Sequence, residues 1–301
     1  MEMNEIARAL ARKIQDVREN EPMSGHTSFG VGGPADVMVL PQTEAEIDHA
    51  VQTMAQLKLP IFVMGNGSNL LATSKGIRGV VMKLADNFAG VEADGQYVTA
   101  KSGTSLSALV RDAAHMCLGG VEFLGGIPGT VGGAVYMNAG AYEEEIGSFV
   151  EEVYFSTHSG MLTMRGDEMQ FGHRTSLLHK VPLVVTGVKL KLKDCETEDC
   201  ICKINELNGQ RREKQPLEYP SAGSAFKRPE GHFAGALIEQ AGLKGLSIGG
   251  AQVSEKHAGF VINKGGATSE DIISLIEEVQ RRVKEHSGVA LEPEVRIVGQ
   301  R

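Results

Sequence analysis

The stretch GGVEFLGGIPGTVGGAVYMNAGAY, residues 119–142, contains eight glycines in 24 positions. Glycine loses more conformational freedom on folding than any other residue, so we expect this density where backbone approaches another group closely. Peptide N–H groups that no side chain covers are also suited to holding phosphates. The alternative is a series of tight turns in a β-rich domain, and this run alone leaves that alternative open.

A second glycine-containing loop, GNGSNLL at residues 65–71, follows a predicted strand at residues 60–64. Loops at the carboxyl ends of strands commonly bind ligands. Leu70 stands where the dinucleotide fingerprint G-x-G-x-x-G has its third glycine, and no helix is predicted to begin there. A Rossmann site is therefore disfavoured. The two glycine-rich loops either grip one diphosphate from both sides or form ordinary turns.

The composition is that of a soluble globular protein, with 42% hydrophobic and 23% charged residues among 301. The net charge of −8 and the absence of Trp argue against a nucleic-acid or anionic-membrane partner. No apolar run reaches membrane-spanning length, and the charged first 20 residues lack the apolar core of a signal peptide. The spacing of the cysteines is not that of a zinc site, so we expect no metal site. We also expect the protein to be cytoplasmic and monomeric.

Hydrophobic periodicity predicts mixed helices and strands along the whole chain. The expected helices cover residues 1–20, 43–57, 104–117, about 200–214, 234–241 and 268–287, with Thr43 and Glu46 forming a capping box. The expected strands cover residues 35–40, 60–64, 79–84, 97–100, 149–157, 161–164, 183–192, 259–263 and 294–298. The pattern of predicted elements changes near residue 87, and an acidic stretch covers residues 194–199. These two positions mark the predicted domain boundaries.

Three polar residues could carry chemistry, although each has an ordinary structural interpretation. Arg174, in FGHRTSLL, could stabilise an anion or form a structural ion pair. Ser224, in PSAGSAFKRP, lacks the G-x-S-x-G elbow of a hydrolase nucleophile and could be a loop serine. Glu294, in LEPEVRIVG, begins a predicted strand, and its charge faces either solvent or a site. Likewise His257, in SEKHAGFVIN, faces either a cleft or solvent.

Taken in order, several segments resemble the UDP-N-acetylenolpyruvoylglucosamine reductase family over residues 26–299. They are HTSFGVGGPAD, GNGSNLL, GIPGTVGGAVYMNAGAY, PSAGSAFKRP, HAGFVINKGGAT and LEPEVRIVG. The resemblance implies an α+β fold, with an FAD-binding domain of the vanillyl-alcohol-oxidase type in two α+β lobes (residues 1–86 and 87–194). An α+β substrate-binding domain follows at residues 200–301. The short stretch after residue 194 resembles the branch of the family without an extra tyrosine-bearing loop.

The resemblance also implies an activity, the NADPH-dependent and FAD-mediated reduction of UDP-N-acetylglucosamine enolpyruvate to UDP-N-acetylmuramate for peptidoglycan. Arg174 would stabilise the charge that develops on the substrate, and Ser224 would donate a proton. Glu294 would polarise the substrate carboxylate, and better when protonated, because two adjacent carboxylates do not both ionise cheaply.

The same resemblance implies how the ligands are held. Three residues would bind the substrate: Lys227, Arg228 and His257. The FAD diphosphate would lie between the two glycine-rich loops. The expected FAD contacts are Gly65, Asn66, Gly67, Ser68, Asn69, Leu70, Gly125, Gly126, Ile127, Pro128, Gly129, Thr130, Gly132, Gly133, Ala134, Asn138 and Gly140.

Two alternatives differ in kind from this function. One is another flavoprotein of the same fold, such as an alcohol or sugar oxidase, which does not need Arg174, Ser224 and Glu294 in this form. The other is a nucleotide-sugar-binding protein that senses its ligand, and it would neither bind flavin nor consume NADPH.

The chain departs from the family at His173, where a tyrosine usually precedes the catalytic arginine. We predict that His173→Tyr retains activity and changes its pH dependence, because the charge of a histidine varies near neutral pH. The measurement is kcat/KM for both proteins across the neutral range. Identical profiles would remove any titrating role for His173.

Overall fold

The structure is a computed structural model that describes residues 3–300. The chain forms two compact units. The first contains residues 3–19, Val37–Asn66 and Gly79–Gln210, and the second contains Asn20–Asp36, Gly67–Arg78 and residues 211–300. The domains predicted at residues 1–86, 87–194 and 200–301 stay a prediction.

Seven α-helices lie within the described residues. They are α1 Met3–Leu10, α2 Glu44–Leu57, α3 Leu106–His115, α4 Val131–Met137, α5 Thr197–Lys214, α6 Ala234–Gln240 and α7 Ser269–Ser287. None of these helices is long and apolar enough to cross a membrane.

The strands are short, and most are antiparallel. They are β1 Val17–Pro22, β2 Pro34–Val39, β3 Ile61–Met64, β4 Leu70–Ala72, β5 Ile77–Lys83, β6 Val91–Asp94, β7 Tyr97–Lys101, β8 Leu118–Gly119, β9 Gly140–Ala141, β10 Glu144–Glu145, β11 Val150–Thr157, β12 Gly160–Arg165, β13 Val184–Lys191, β14 Lys193–Asp194, β15 Ser221–Ser224, β16 Ser247–Ile248, β17 Ala251–Val253, β18 Phe260–Asn263 and β19 Arg296–Val298. This mixed content confirms the α+β prediction.

A five-stranded antiparallel sheet in the order β12-β11-β13-β7-β6 forms the centre of the first unit. Its core side chains alternate along β7 and β11 and pack with those of α3, α4 and α5. The members with no exposed surface include Leu109, Val131, Phe155 and Val188. The prediction that β13 is half-buried is wrong, because its residues 184–188 are all buried at the centre of the sheet. One feature that the sequence did not predict is a disulfide between Cys195 and Cys200.

A four-stranded sheet in the order β1-β2-β5-β3 accompanies helices α1 and α2. The α2 cap is confirmed, because the Thr43 hydroxyl accepts from the Glu46 N–H at 3.2 Å. The Glu46 carboxylate accepts instead from the Gln42 N–H, at 2.6 Å. The predicted helix over residues 1–20 is wrong beyond Leu10, since Val17 begins β1. There the chain pairs with β2 in the sheet, and this long-range pairing overrides the local helical pattern.

The second unit contains the antiparallel sheet β15-β18-β17-β16, against which α6 and α7 pack. The predicted long helix is confirmed as α7, which Thr268 caps and Gly288 ends in a left-handed conformation. A parallel pair, β4 with β19, completes this unit. Neither β4 nor α4 was predicted, because both lie in stretches whose glycines suggested loops.

Candidate active site

In the first unit, the end of β3 meets the glycine-rich run. Gly65 follows β3, and a side chain at this position would overlap the Thr130 hydroxyl. That hydroxyl caps α4 by accepting a hydrogen bond from the Gly133 N–H at 3.4 Å. Gly65 of one predicted FAD loop is therefore in contact with Thr130 of the other, and this contact requires glycine at position 65.

The first turn of α4 does not present free N–H groups to a phosphate. The Gly132 N–H donates to the Ser102 carbonyl at 2.8 Å, and the Gly133 N–H donates to the Thr130 hydroxyl. The expectation that bare N–H groups in this run hold phosphate is therefore wrong for these two residues. They stay predicted FAD contacts, through the close backbone approach that glycine permits.

A buried hydroxyl lies beside this turn and was not among the predicted site residues. Ser102 is 2% exposed, and its hydroxyl has no hydrogen-bond partner within residues 3–300. A Cβ on Gly132 would lie 2.9 Å from the Ser102 Cβ. An unpaired buried polar group costs roughly 1–3 kcal/mol, so a hydroxyl in this position fits a ligand atom that would pair with it. A single serine in KSGTS carries no local signal that could have identified it.

The second unit has a comparable hydroxyl beside the GNGSNLL loop. The Ser28 N–H donates to the Gly67 carbonyl at 3.3 Å, and its buried hydroxyl oxygen has no partner among the described residues. Each unit thus presents a glycine-lined backbone segment with an unsatisfied hydroxyl, an arrangement that fits a polar cofactor such as FAD.

Arg174 lies in a two-residue turn of the first unit. Gly172 and Thr175 flank the turn, and each donates its N–H to the carbonyl of the other at 3.1 Å. Arg174 has a φ of 54°, in the left-handed region that favours glycine. One guanidinium nitrogen, Nη2, donates to the Gly140 carbonyl at 3.1 Å. The first unit therefore brings the predicted catalytic arginine to the predicted FAD contact Gly140.

Ser224 lies at the end of β15 in the second unit, beside an irregularity in the strand. The register of β15 against β18 shifts between Ser221 and Ser224, and Gly223 has a φ of 76°. Bulges of this kind turn a side chain away from the regular alternation and are common beside active sites. Ser224 is exposed, whereas Ala225 after it is buried.

Glu294 precedes β19, so the strand predicted over residues 294–298 is shorter than expected. The partner strand β4 has only three residues, and the side chain of Asn69, which directly precedes β4, continues the hydrogen bonding. Its Nδ2 donates to the Glu294 carbonyl at 3.2 Å, and the Asn69 carbonyl accepts from Arg296 at 3.0 Å. The Glu294 N–H donates to the Ala225 carbonyl at 2.9 Å. The second unit thus joins Glu294, Asn69 and the segment that follows Ser224.

The two predicted substrate-binding cations lie on the segment after Ser224. Lys227 forms an ion pair with Glu292, and the Lys227 N–H donates to the Glu292 carbonyl at 2.9 Å. The Arg228 guanidinium lies 4.1 Å from the ring centre of Phe233, which is 61% exposed. Such a cation–π contact holds both side chains at the surface without neutralising the arginine.

His257 is half-buried and lies edge-on to Phe260, with 5.0 Å between ring centres. Its Nδ1 accepts a hydrogen bond from the Gly259 N–H at 3.1 Å, which requires a neutral ring with the proton on Nε2. Burial lowers the pKa of His257, and the charge of Lys244 acts in the same direction. His257 stays a predicted substrate contact, with Nε2–H as its only donor.

Two family descriptions match the chain. One, "FAD binding domain", covers residues 35–164, and the other, the C-terminal domain of UDP-N-acetylenolpyruvoylglucosamine reductase, covers residues 215–298. An alkyldihydroxyacetonephosphate synthase structure has the same fold over 64% of this chain and 41% of its own, with 16% identity and a TM-score of 0.51. The fold and the matched region define a flavoprotein with an FAD-binding domain of the vanillyl-alcohol-oxidase type.

Two closer relatives extend over nearly the whole chain. The UDP-N-acetylenolpyruvoylglucosamine reductase of Caldanaerobacter subterraneus subsp. tengcongensis is 47% identical over 98% of this chain and 100% of its own length. The crystal structure of the Thermus caldophilus reductase has a TM-score of 0.79 and 37% identity, over 94% of this chain and 99% of that one. The chain belongs to the UDP-N-acetylenolpyruvoylglucosamine reductase family.

We predict that Gly65→Ala weakens FAD binding, because the added methyl group overlaps the Thr130 hydroxyl and displaces the loop. Overpacking of this kind costs about 1–3 kcal/mol, which corresponds to a rise in Kd of roughly 5- to 150-fold. The measurement is a fluorescence titration of the apoprotein with FAD. Gly209→Ala is the matched control, since no atom lies within 4 Å of a Cβ there. Equal affinities for both variants would contradict a role for the Gly65–Thr130 contact.

A second prediction concerns stability against pH. Because the folded-state pKa of His257 is lowered from 6.5, its neutral buried form contributes stability above pH 6.5 that is lost as the pH falls below that value. His257→Gln should therefore reduce the fall in Tm on acidification, whereas His232→Gln, at an exposed histidine of the same unit, should not. Tm values that fall equally with decreasing pH in the wild type and in His257→Gln would refute this prediction.

Proposed function

We propose that the protein reduces UDP-N-acetylglucosamine enolpyruvate to UDP-N-acetylmuramate, with FAD as its cofactor and NADPH as its reductant. The proposal includes action in the cytoplasm as a monomer, on a diffusible nucleotide sugar used for peptidoglycan. The observation that carries it is the backbone connection between the Ser224 and Glu294 segments, through the Glu294 N–H and the Ala225 carbonyl, in a chain with full-length relatives in this family.

In the first unit, Gly65, Thr130 and Ser102 would hold FAD. The chemistry that bound FAD supplies is the transfer of a hydride from NADPH to the terminal enolpyruvyl carbon of the substrate. The remaining steps concern charge and a proton, and side chains of this protein would carry them.

Arg174 would stabilise the negative charge that develops when the conjugated double bond of the substrate accepts hydride. This charge spreads onto the substrate carboxylate, a planar group that a guanidinium pairs with in two parallel hydrogen bonds. A donor fixed before the reaction stabilises charge better than one that must reorganise. The turn between Gly172 and Thr175 and the bond to the Gly140 carbonyl support such a fixed arginine.

Ser224 would donate its hydroxyl proton to the substrate carbon next to the carboxylate. A serine hydroxyl is a weak acid, but the carbon of an enolate is a strong base, and the proton moves only the length of a hydrogen bond. Glu294 in its protonated form would donate a hydrogen bond to the substrate carboxylate and so support the same charge as Arg174. The exposure of the Ser224 side chain at a strand irregularity supports the proton-donor role.

Lys227 and Arg228 would bind phosphates of the substrate or of NADPH. Phe233 holds the Arg228 guanidinium over its ring, and a cation–π contact does not use the N–H donors that pair with a phosphate. Their positive charge suits an anionic ligand on an otherwise acidic protein.

We predict that Ser224→Ala separates the two half-reactions. Under anaerobic conditions NADPH should bleach the flavin at the wild-type rate, whereas return of the flavin absorbance on addition of the enolpyruvyl substrate should slow by roughly 10²- to 10⁴-fold, the contribution of a positioned acid. Ser221→Ala, in the same strand, is the matched control. Wild-type protein that bleaches but does not recover with this substrate would favour an oxidase, and protein without flavin would favour a sensor.

A further inference from the structure

The Asn138 side chain forms three hydrogen bonds to protein groups inside the first unit, although the sequence predicts it as an FAD contact. Asn138 follows α4 with a φ of 45° and is 2% exposed. Its Oδ1 accepts from the Gly147 N–H at 3.0 Å, and its Nδ2 donates to Glu145 Oε2 at 2.6 Å and to the Gly172 carbonyl at 3.0 Å. Both protons of the amide are thereby engaged, and the side chain has no donor left for FAD.

Two of these bonds lead to the turn that carries Arg174. The Gly172 carbonyl, which accepts from Asn138, also accepts the Thr175 N–H that closes the turn. Glu145 extends the connection, because its Oε2 accepts from Asn138 while its Oε1 lies 3.5 Å from His173 Nδ1. Asn138 therefore holds Gly172 directly and His173 through Glu145, and these are the two residues that precede Arg174.

Two glycines permit this close arrangement. A Cβ on Gly147 would lie 2.7 Å from both Asn138 Oδ1 and Phe171 Cγ, and a Cβ on Gly140 would overlap the Glu144 carbonyl and lie 2.8 Å from Glu145 Cγ. The surroundings thus leave room for Asn138 and Glu145 only because both positions lack side chains. A non-glycine residue in the left-handed region is unfavourable and persists where its surroundings hold it in place. Arg174 is such a residue.

We propose that Asn138 is a positioning residue that holds the turn at residues 172–175 in its left-handed conformation and acts on the reaction through Arg174. The inference rests on the proposed function, in which Arg174 stabilises the charge on the substrate. The expectation drawn from the sequence is that Asn138 contacts FAD, whereas in this proposal its side chain positions Arg174.

The test uses Asn138→Gly in the holoenzyme. Glycine retains the left-handed backbone without cost and removes all three side-chain hydrogen bonds. The matched control is Lys58→Gly, because Lys58 ends α2 with a φ of 55° and is exposed. For Asn138→Gly we expect the flavin spectrum, the FAD Kd and the rate of flavin reduction by NADPH to be unchanged. Recovery of the flavin absorbance with the enolpyruvyl substrate should slow by about 100-fold, the effect of misplacing a reactive group by about 1 Å.

A double-mutant cycle shows whether the effect passes through the arginine. In an Arg174→Ala background, Asn138→Gly should slow the recovery by less than about twofold, because its target is already absent. A full additional slowing, or a rise in the FAD Kd that accounts for the loss, would overturn the proposal in favour of a structural or FAD-binding role.

Hydrogen exchange separates this inference from the proposed function. In Asn138→Gly, but not in Lys58→Gly, amide exchange over residues 172–175 should accelerate by about tenfold or more while the amides of α3 remain unchanged. Unchanged exchange would overturn the positioning role even in an active reductase. Faster exchange in a protein whose flavin does not react with the enolpyruvyl substrate would retain the positioning role and refute the function.

Discussion

The close approach of backbone at glycine is the constraint on which both units depend. In the first unit Gly65 brings the end of β3 against Thr130, and any larger residue would overlap the hydroxyl. In the second unit a side chain at Gly33 or Gly76 would overlap a backbone carbonyl. Glycine is unfavourable for folding in entropic terms, so its accumulation at such contacts indicates that tight loop geometry matters more here than local stability. The candidate FAD contacts follow from that geometry.

The three residues proposed to carry the charge and the proton lie outside the shared FAD-binding region. That region covers residues 35–164, whereas Ser224 and Glu294 lie within residues 215–298, which match the reductase C-terminal domain. Arg174 lies between the two matched ranges. An enzyme with only 16% identity has the same fold, and a fold by itself does not specify a reaction. In the proposed function the FAD-binding region serves hydride transfer, and these three side chains stabilise the developing charge and supply the proton.

Local sequence patterns predicted the elements whose signals lie in neighbouring residues. Helices α2 and α7 were recognised from their caps and apolar stripes, and strand β13 from its alternating pattern. The errors occurred where long-range contacts override local preference. Val17 continues the apolar stripe of α1 but forms a strand, and the glycine-rich run contains the helix α4 that composition argued against.

The sequence by itself determined the order of the motifs and the residue types available for chemistry, because these are properties of the chain that a family shares. Only the tertiary structure decided which atoms meet. Asn69 and Glu294 are 225 positions apart, and no periodicity relates them. The Asn138 amide could have formed hydrogen bonds to FAD or to protein. In the structure it is buried and forms them with Glu145, Gly147 and Gly172. Such choices depend on which buried polar groups can satisfy one another, a condition met only when distant segments pack together.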